Sequence, residues 1–118
     1  MKRVIIESPF AGDVDRNRRY LRACMADSLA RDEAPFASHG LYTQEGVLDD
    51  TVPAERKRGI EAGYAWWEGA DLVAFYIDLG WSDGMRRALR FAQEGMPLQE
   101  GEGAILLRYE PRMLGGEW

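Results

Sequence analysis

One cysteine, one histidine and five prolines are all that 118 residues contain of these types, and each scarcity excludes something. A single thiol, Cys24, cannot close an intramolecular disulfide, and its place in a helical pattern marks it as a small buried hydrophobe rather than a nucleophile. One histidine with one cysteine cannot make a zinc-type cluster, so no metal site is expected. No run of about 18 apolar residues occurs, and no apolar N-terminal segment, so neither a membrane span nor a secretory leader is expected. A cytoplasmic protein is the default. Positive charge is also short: fifteen Lys and Arg stand against twenty Asp and Glu, a formal net charge of −5. Duplex nucleic acid and membrane surfaces are therefore poor partners, because both need clustered positive charge. There is no Walker loop and no Gly-x-Ser-x-Gly elbow. The Gly80 to Gly84 loop is too short and wrongly spaced for a dinucleotide fingerprint, and nothing in the sequence calls for a cofactor. No repeat, low-complexity run or linker interrupts the chain, so residues 1–118 read as one domain.

What is there begins with a strand that breaks into an acid-bearing, Gly-rich loop and then opens a helix. Residues 72 to 77 are continuously apolar or aromatic, as in a strand covered on both faces, and Asp78, Gly80, Ser82, Asp83 and Gly84 follow. A second junction of this kind opens the sequence: strand residues 3 to 7, ending at Glu7, lead into Ser8-Pro9-Phe10-Ala11-Gly12-Asp13. In open α/β sheets such carboxyl-end loops bind ligands, and two of them suggest one polar crevice for a small molecule.

Between them, Asp13 or Asp15 is expected to cap a helix to about Arg31 with Leu21, Cys24, Met25 and Leu29 on one face. Residues 35 to 38 read as a short second strand ending at His39-Gly40, followed by a long loop over residues 41 to 50. Thr51 is expected to cap the next helix, with Pro53 in its first turn. Ile60, Tyr64, Trp67 and Trp66 supply that helix's apolar side. Strand three spans 71 to 77. Ser82 or Asp83 caps a third helix with Met85, Ala88, Leu89 and Ala92 buried, stopped by Gly95. A strand over 97 to 99 and a final strand over 104 to 109 precede an irregular tail to Trp118. The order β-α-β-α-β-α-β-β predicts a mostly parallel sheet of four to five strands with helices on both faces.

The candidate chemistry is carboxylate chemistry. Glu7, Asp13, Asp49, Asp50, Asp78 and Asp83 all stand on loops at strand ends. Such acids suit cleavage of a glycosidic or N-glycosidic bond, one near the anomeric carbon and another handling the leaving group. Asp78, held directly by a strand end, and Asp83 are the candidate catalytic residues; both are also ordinary turn and cap residues. Ser8 to Gly12 is a candidate cradle for phosphate or sugar, or a plain tight turn. Arg16, Asn17 and Arg19 then either contact an anion or coat a helix surface. His39 is an acid, a base or a sugar-hydroxyl donor, or a structural hydrogen-bonder. Asp49 and Asp50 either bind ribose hydroxyls or favour the dipole of the following helix. The Trp66-Trp67 pair is expected to be core on one side and interface on the other.

Four stretches resemble the nucleoside 2-deoxyribosyltransferase-like superfamily, and within it a small group common in bacteria and phages. They are Ile5-Ile-Glu-Ser-Pro-Phe-Ala-Gly12, Pro35-Phe-Ala-Ser-His-Gly-Leu-Tyr-Thr-Gln44, Leu48-Asp-Asp50 with Pro53-Ala-Glu-Arg56, and Ser82-Asp-Gly-Met85 ahead of Gly95-Met-Pro97. The resemblance covers roughly residues 3 to 98. It implies a single flavodoxin-like, Rossmann-like three-layer α/β domain in a homodimer or larger assembly. Its ligands would be nucleosides, deoxynucleotides or other N-ribosides, with Ser8, Pro9, Phe10, Gly12, His39, Tyr42, Asp49, Asp50, Ser82, Gly84 and Met85 at the ligand. Members cleave or transfer at the N-glycosidic bond with a glutamate on the helix after the Ser-x-Gly turn. That position here is Ala88, and an aspartate that works beside it is replaced by Gly63. Three functions follow: an N-glycoside hydrolase or deoxyribosyltransferase using Asp78 or Asp83, a non-catalytic nucleotide sensor or sequestering protein, or an interaction module built on the Trp pair and the tail from Pro111.

Overall fold

The computed structural model describes residues 1–94 and 104–109. Strand β1 (Lys2–Glu7) is followed by α1 (Val14–Ala30), β2 (Glu33–Phe36), a short α2 (Ser38–Leu41), α3 (Pro53–Ala65) and a single 3₁₀ turn (Trp67–Gly69). Strand β3 (Leu72–Tyr76), α4 (Asp83–Gln93) and β4 (Ile105–Arg108) complete the described elements. The four strands form one all-parallel sheet in the order β2-β1-β3-β4. Val4 pairs with Leu72, Lys2 with Glu33 and Val73 with Ile105. This is an α/β domain compatible with a three-layer flavodoxin-like or Rossmann-like fold. Among the described residues no helix is long and apolar enough to cross a membrane. The expected helix stop at Gly95, the strand over 97 to 99 and the tail to Trp118 lie outside the described residues.

The period-2 alternation of β1 sends its side chains to two cores. Val4 and Ile6 join Leu72, Ala74 and Tyr76 beneath Tyr20, Leu21 and Cys24 of α1. Ile5 joins Val73 and Phe75 on the other face, with Trp67 and with Met85, Ala88 and Ala92 of α4. Every residue of β3 is buried, so its continuous apolar run is explained by cover on both faces. The connections β1–α1–β2 and β3–α4–β4 leave in opposite directions along the sheet. Right-handed crossovers therefore lay their helices on opposite faces and open a crevice at the carboxyl ends of β1 and β3.

Several expected boundaries shift for identifiable reasons. Strand β2 runs over 33–36 rather than 35–38, because the buried Glu33 is paired by Arg108 and can enter the sheet. Residues 38–41 form a helical turn, so His39 and Gly40 sit in α2 rather than at a strand end. Helix α3 is preceded by Val52 without a side-chain cap, while Thr51 is drawn back to Asp49, whose Oδ1 accepts from both its N–H (2.9 Å) and its hydroxyl (2.6 Å). Leu29 is exposed, because α1 turns Asp27 and Ser28 inward toward a buried polar network. Asp13 caps α1 and Ser82 caps α4, accepting from Met85 N–H at 3.2 Å. Trp67 is core and Trp66 is exposed.

Candidate functional site

A cavity of about 390 Å³ opens at the crevice, within the ordinary size range of small-ligand sites. Glu7 and Ser8 reach it from the end of β1, and Phe10, Ala11 and Gly12 from the loop that follows. Ser38 and His39 come from α2, Arg56, Ile60 and Tyr64 from α3, and Ser82 to Met85 with Arg87 from the start of α4. Asp50 closes the side toward the 42–52 loop.

The β1 loop is held in one shape. Gly12 takes φ +101°, a conformation that other residues resist, and Asn17 on the first turn of α1 donates to the carbonyls of Phe10 (2.9 Å) and Ala11 (3.2 Å). Ser8 is buried, and its hydroxyl lies 2.8 Å from His39 Nε2. The His39 ring meets the Phe10 ring edge-to-face with centroids 6.4 Å apart, and the Arg18 guanidinium lies over the Phe10 ring, 5.5 Å from its centroid. Burial pushes the His39 imidazole down to about 4, so it is neutral at neutral pH.

Glu7 has the opposite response to the same surroundings. Its carboxyl has no hydrogen-bond partner among the described residues, and desolvation pushes it up to about 8. At neutral pH it is a protonated acid facing the cavity. Burial raises the Tyr64 hydroxyl, and Glu7, once ionised at higher pH, raises it further. On the far wall Arg56 is paired with Asp50 at 2.9 Å, while Arg87 forms no ion pair among the described residues. The α4 N-terminus adds a partial positive charge. Neutral acid, serine–histidine pair and cationic wall together suit breaking a bond to a basic leaving group on an anionic or polyhydroxylated substrate. Among the described residues no group of three His, Cys, Asp or Glu could hold a metal ion.

Of the residues expected at the ligand, Ser8, Phe10, Gly12, His39, Asp50, Ser82, Asp83, Gly84 and Met85 line this cavity. Pro9 is buried beside it without lining it. Asp49 lines a neighbouring depression and Tyr42 a small adjoining one, where its hydroxyl accepts from Trp66 Nε1 at 2.9 Å. Asp78 lies outside the cavity, exposed, accepting a 2.5 Å hydrogen bond from Tyr20 and donating its N–H to the same hydroxyl at 2.9 Å. Asp83 is exposed at the cavity rim, 3.5 Å from Arg86. Ala88 is fully buried in the core, and Gly63 is buried against Ser38.

Sequence reasoning placed Glu7 among the strand-end acids but gave it no role, and it gave Arg56, Tyr64 and Arg87 no place at the site. The available signals were the position of Glu7 as the last residue of a buried strand, and Arg87 one turn beyond Gly84. Residues 2–100 match the model of a family described as a domain of unknown function, DUF7768, and the chain belongs to that family. No curated protein and no solved structure matches the chain.

Proposed function

We propose that this member of the DUF7768 family acts at the N-glycosidic bond of a nucleoside, a deoxynucleotide or a related N-riboside, with Glu7 as the general acid. The observation that carries this reading is the carboxyl of Glu7, fixed at the end of β1 and kept protonated by burial in a ligand-sized cavity. Expulsion of a nucleobase is accelerated when its ring nitrogen is protonated as the bond to C1′ breaks, and a carboxyl with a pKa near the working pH is matched to that step. Arg87 and the α4 N-terminus offer a place for an anionic group, and Asp50 one for sugar hydroxyls. The resemblance to nucleoside 2-deoxyribosyltransferase-like proteins supports the same ligand class. The acid moves from Asp78 and Asp83 to Glu7, because Asp78 lies outside the cavity and Asp83 is exposed.

Purified protein incubated with nucleosides, deoxynucleotides and nicotinamide dinucleotides should release free base from one of them, read by mass spectrometry. Glu7→Gln should release at least about 10²-fold less while still binding the substrate. Unchanged release by Glu7→Gln would remove the proposal.

A second reading is favoured by one specific observation: neither Ala88 nor Gly63 carries a carboxyl, and Ala88 faces the core. On that reading the chain is a nucleotide sensor or sequestering protein, and the same incubation returns the ligand intact and protein-bound. We include a homo-oligomer and a cytoplasmic setting in the proposal; Trp66, 56% exposed beside Phe36, is the apolar surface offered to a second copy. Sedimentation of wild type and Trp66→Ser reads that contact directly.

A further inference from the structure

We infer that Ser8 is the nucleophile of this site, its oxygen taking the pentosyl carbon of the substrate while His39 takes its proton. The inference rests on the N-glycosidic reading above and assigns the group that acts opposite Glu7.

The first support is the partner that Ser8 has. A serine in a strand-to-helix turn ordinarily bonds to backbone within a few residues. Ser8 instead reaches His39, 31 positions away, with Oγ 2.8 Å from Nε2, and both line the cavity. That is the distance at which a base removes a hydroxyl proton. The imidazole is held in register by the Phe10 ring and by α2.

The second support is elimination within the cavity. Ser82 Oγ caps the Met85 amide, and Ser38 packs against Gly63. Asp50 is bound to Arg56, and Asp83 is exposed beside Arg86. Tyr64 has its hydroxyl proton held more tightly by burial. Glu7, protonated, is spent as the acid. Ser8 is the remaining nucleophile with a base attached.

The steps balance. The C1′–N bond breaks as the base nitrogen takes the Glu7 proton; the C1′–Oγ bond forms as the Ser8 proton passes to His39 Nε2. The cavity then holds one carboxylate and one imidazolium, so its net charge is unchanged. In the second half, water attacks C1′ and gives a proton to the Glu7 carboxylate. The C1′–Oγ bond breaks, and His39 returns its proton to Ser8. Two displacements at one carbon retain the anomeric configuration.

The test uses the full chain with the base-releasing substrate found by the panel above, and 10% methanol (about this fraction, as a competing acceptor) for product configuration by NMR. Rapid quenching and peptide mapping should show a pentosyl group on Ser8, and the methyl pentoside should keep the substrate's configuration. Ser8→Ala should lower base release on the order of 10³-fold, and His39→Gln about 10²-fold, with circular dichroism unchanged. Inverted methyl pentoside, with Ser8→Ala releasing base at near the wild-type rate, would overturn the nucleophile and leave the Glu7 reading standing. If no panel member releases base, the N-glycosidic reading fails separately. A fluorophosphonate then tests Ser8 alone: a P–Oγ bond forms and the P–F bond breaks, with the proton passing to His39. Labelling at Ser8 that His39→Gln abolishes would keep the nucleophile pair, and absence of labelling would end it.

Discussion

Ser38 occupies the space that a side chain on Gly63 would need: a Cβ on Gly63 falls 2.5 Å from Ser38 Oγ and 2.7 Å from Ser38 Cβ. Helices α2 and α3 are thus brought together at a glycine. His39, the neighbour of Ser38 on α2, lies with its Nε2 2.8 Å from Ser8 Oγ.

Gly63→Ala follows as a test of this packing. Alanine gains about 1 kcal/mol of helix propensity over glycine, but overpacking against Ser38 costs about 1–3 kcal/mol. The clash involves Cβ as well as Oγ, so rotation of the hydroxyl does not relieve it. A net loss of up to about 2 kcal/mol in urea unfolding is expected. Ser38→Gly combined with Gly63→Ala should recover most of it, and additive losses in the double variant would show that the two residues do not share the space.

The pH behaviour of the site has two opposed windows. Folding raises the Glu7 carboxyl from 4.5 to about 8, so the folded state favours the proton and stability falls as pH rises through that interval. Folding lowers His39 from 6.5 to about 4, so its contribution is lost as pH falls through that interval. Turnover that needs Glu7 protonated and His39 neutral should show a bell between about pH 4 and pH 8. Thermal melts from pH 5 to 9 should show Glu7→Gln losing less Tm than wild type as pH rises. A parallel fall in both proteins would remove Glu7 as the group responsible.

Asp78→Asn should leave base release within about twofold of wild type, because the side chain is exposed, outside the cavity and engaged with Tyr20. Asparagine still accepts from the tyrosine, so the stability cost is about 0.5–1 kcal/mol. Initial rates across a substrate series give the answer, and a loss of about 10²-fold or more would return Asp78 to the chemistry.

These outcomes trace where sequence and structure part. The apolar run over 72 to 77 announced a strand buried on both faces, found over 72–76, and Ser82 or Asp83 announced the α4 cap, which is Ser82, because both signals are local. The start of β2 was hidden, because a charged Glu33 enters the sheet only with Arg108, 75 positions away, to pair it. Four residues from Ser38 to Leu41 are too few to display helical periodicity. At the site, residue type and strand-end position brought Ser8, His39, Asp50 and Asp83 together, but they did not separate Glu7 from Asp78. The difference lies in the surroundings: Glu7 is desolvated without a partner, and Asp78 is met by the hydroxyl of Tyr20, 58 positions earlier. No local pattern encodes either environment.

The pair that was least legible carries the strongest stability prediction. Arg108 grips Glu33 with two bonds of 2.6 Å and also donates to the Tyr76 hydroxyl at 3.3 Å, which in turn donates to Asp27 at 2.7 Å. Burial alone would raise the Glu33 carboxyl, but the hydrogen bonds from Arg108 and Ser28 outweigh it and hold it below its ordinary value. Its contribution is therefore present above pH 4.5 and lost as pH falls further. Removing one partner leaves the other charge buried, so Arg108→Met should cost about 3–5 kcal/mol. Glu33→Gln with Arg108→Met removes both charges of this pair and should recover part of that loss. Equilibrium unfolding of the two single variants and the double variant measures the coupling, and a double variant as unstable as the sum of the singles would show that the network contributes through packing rather than charge.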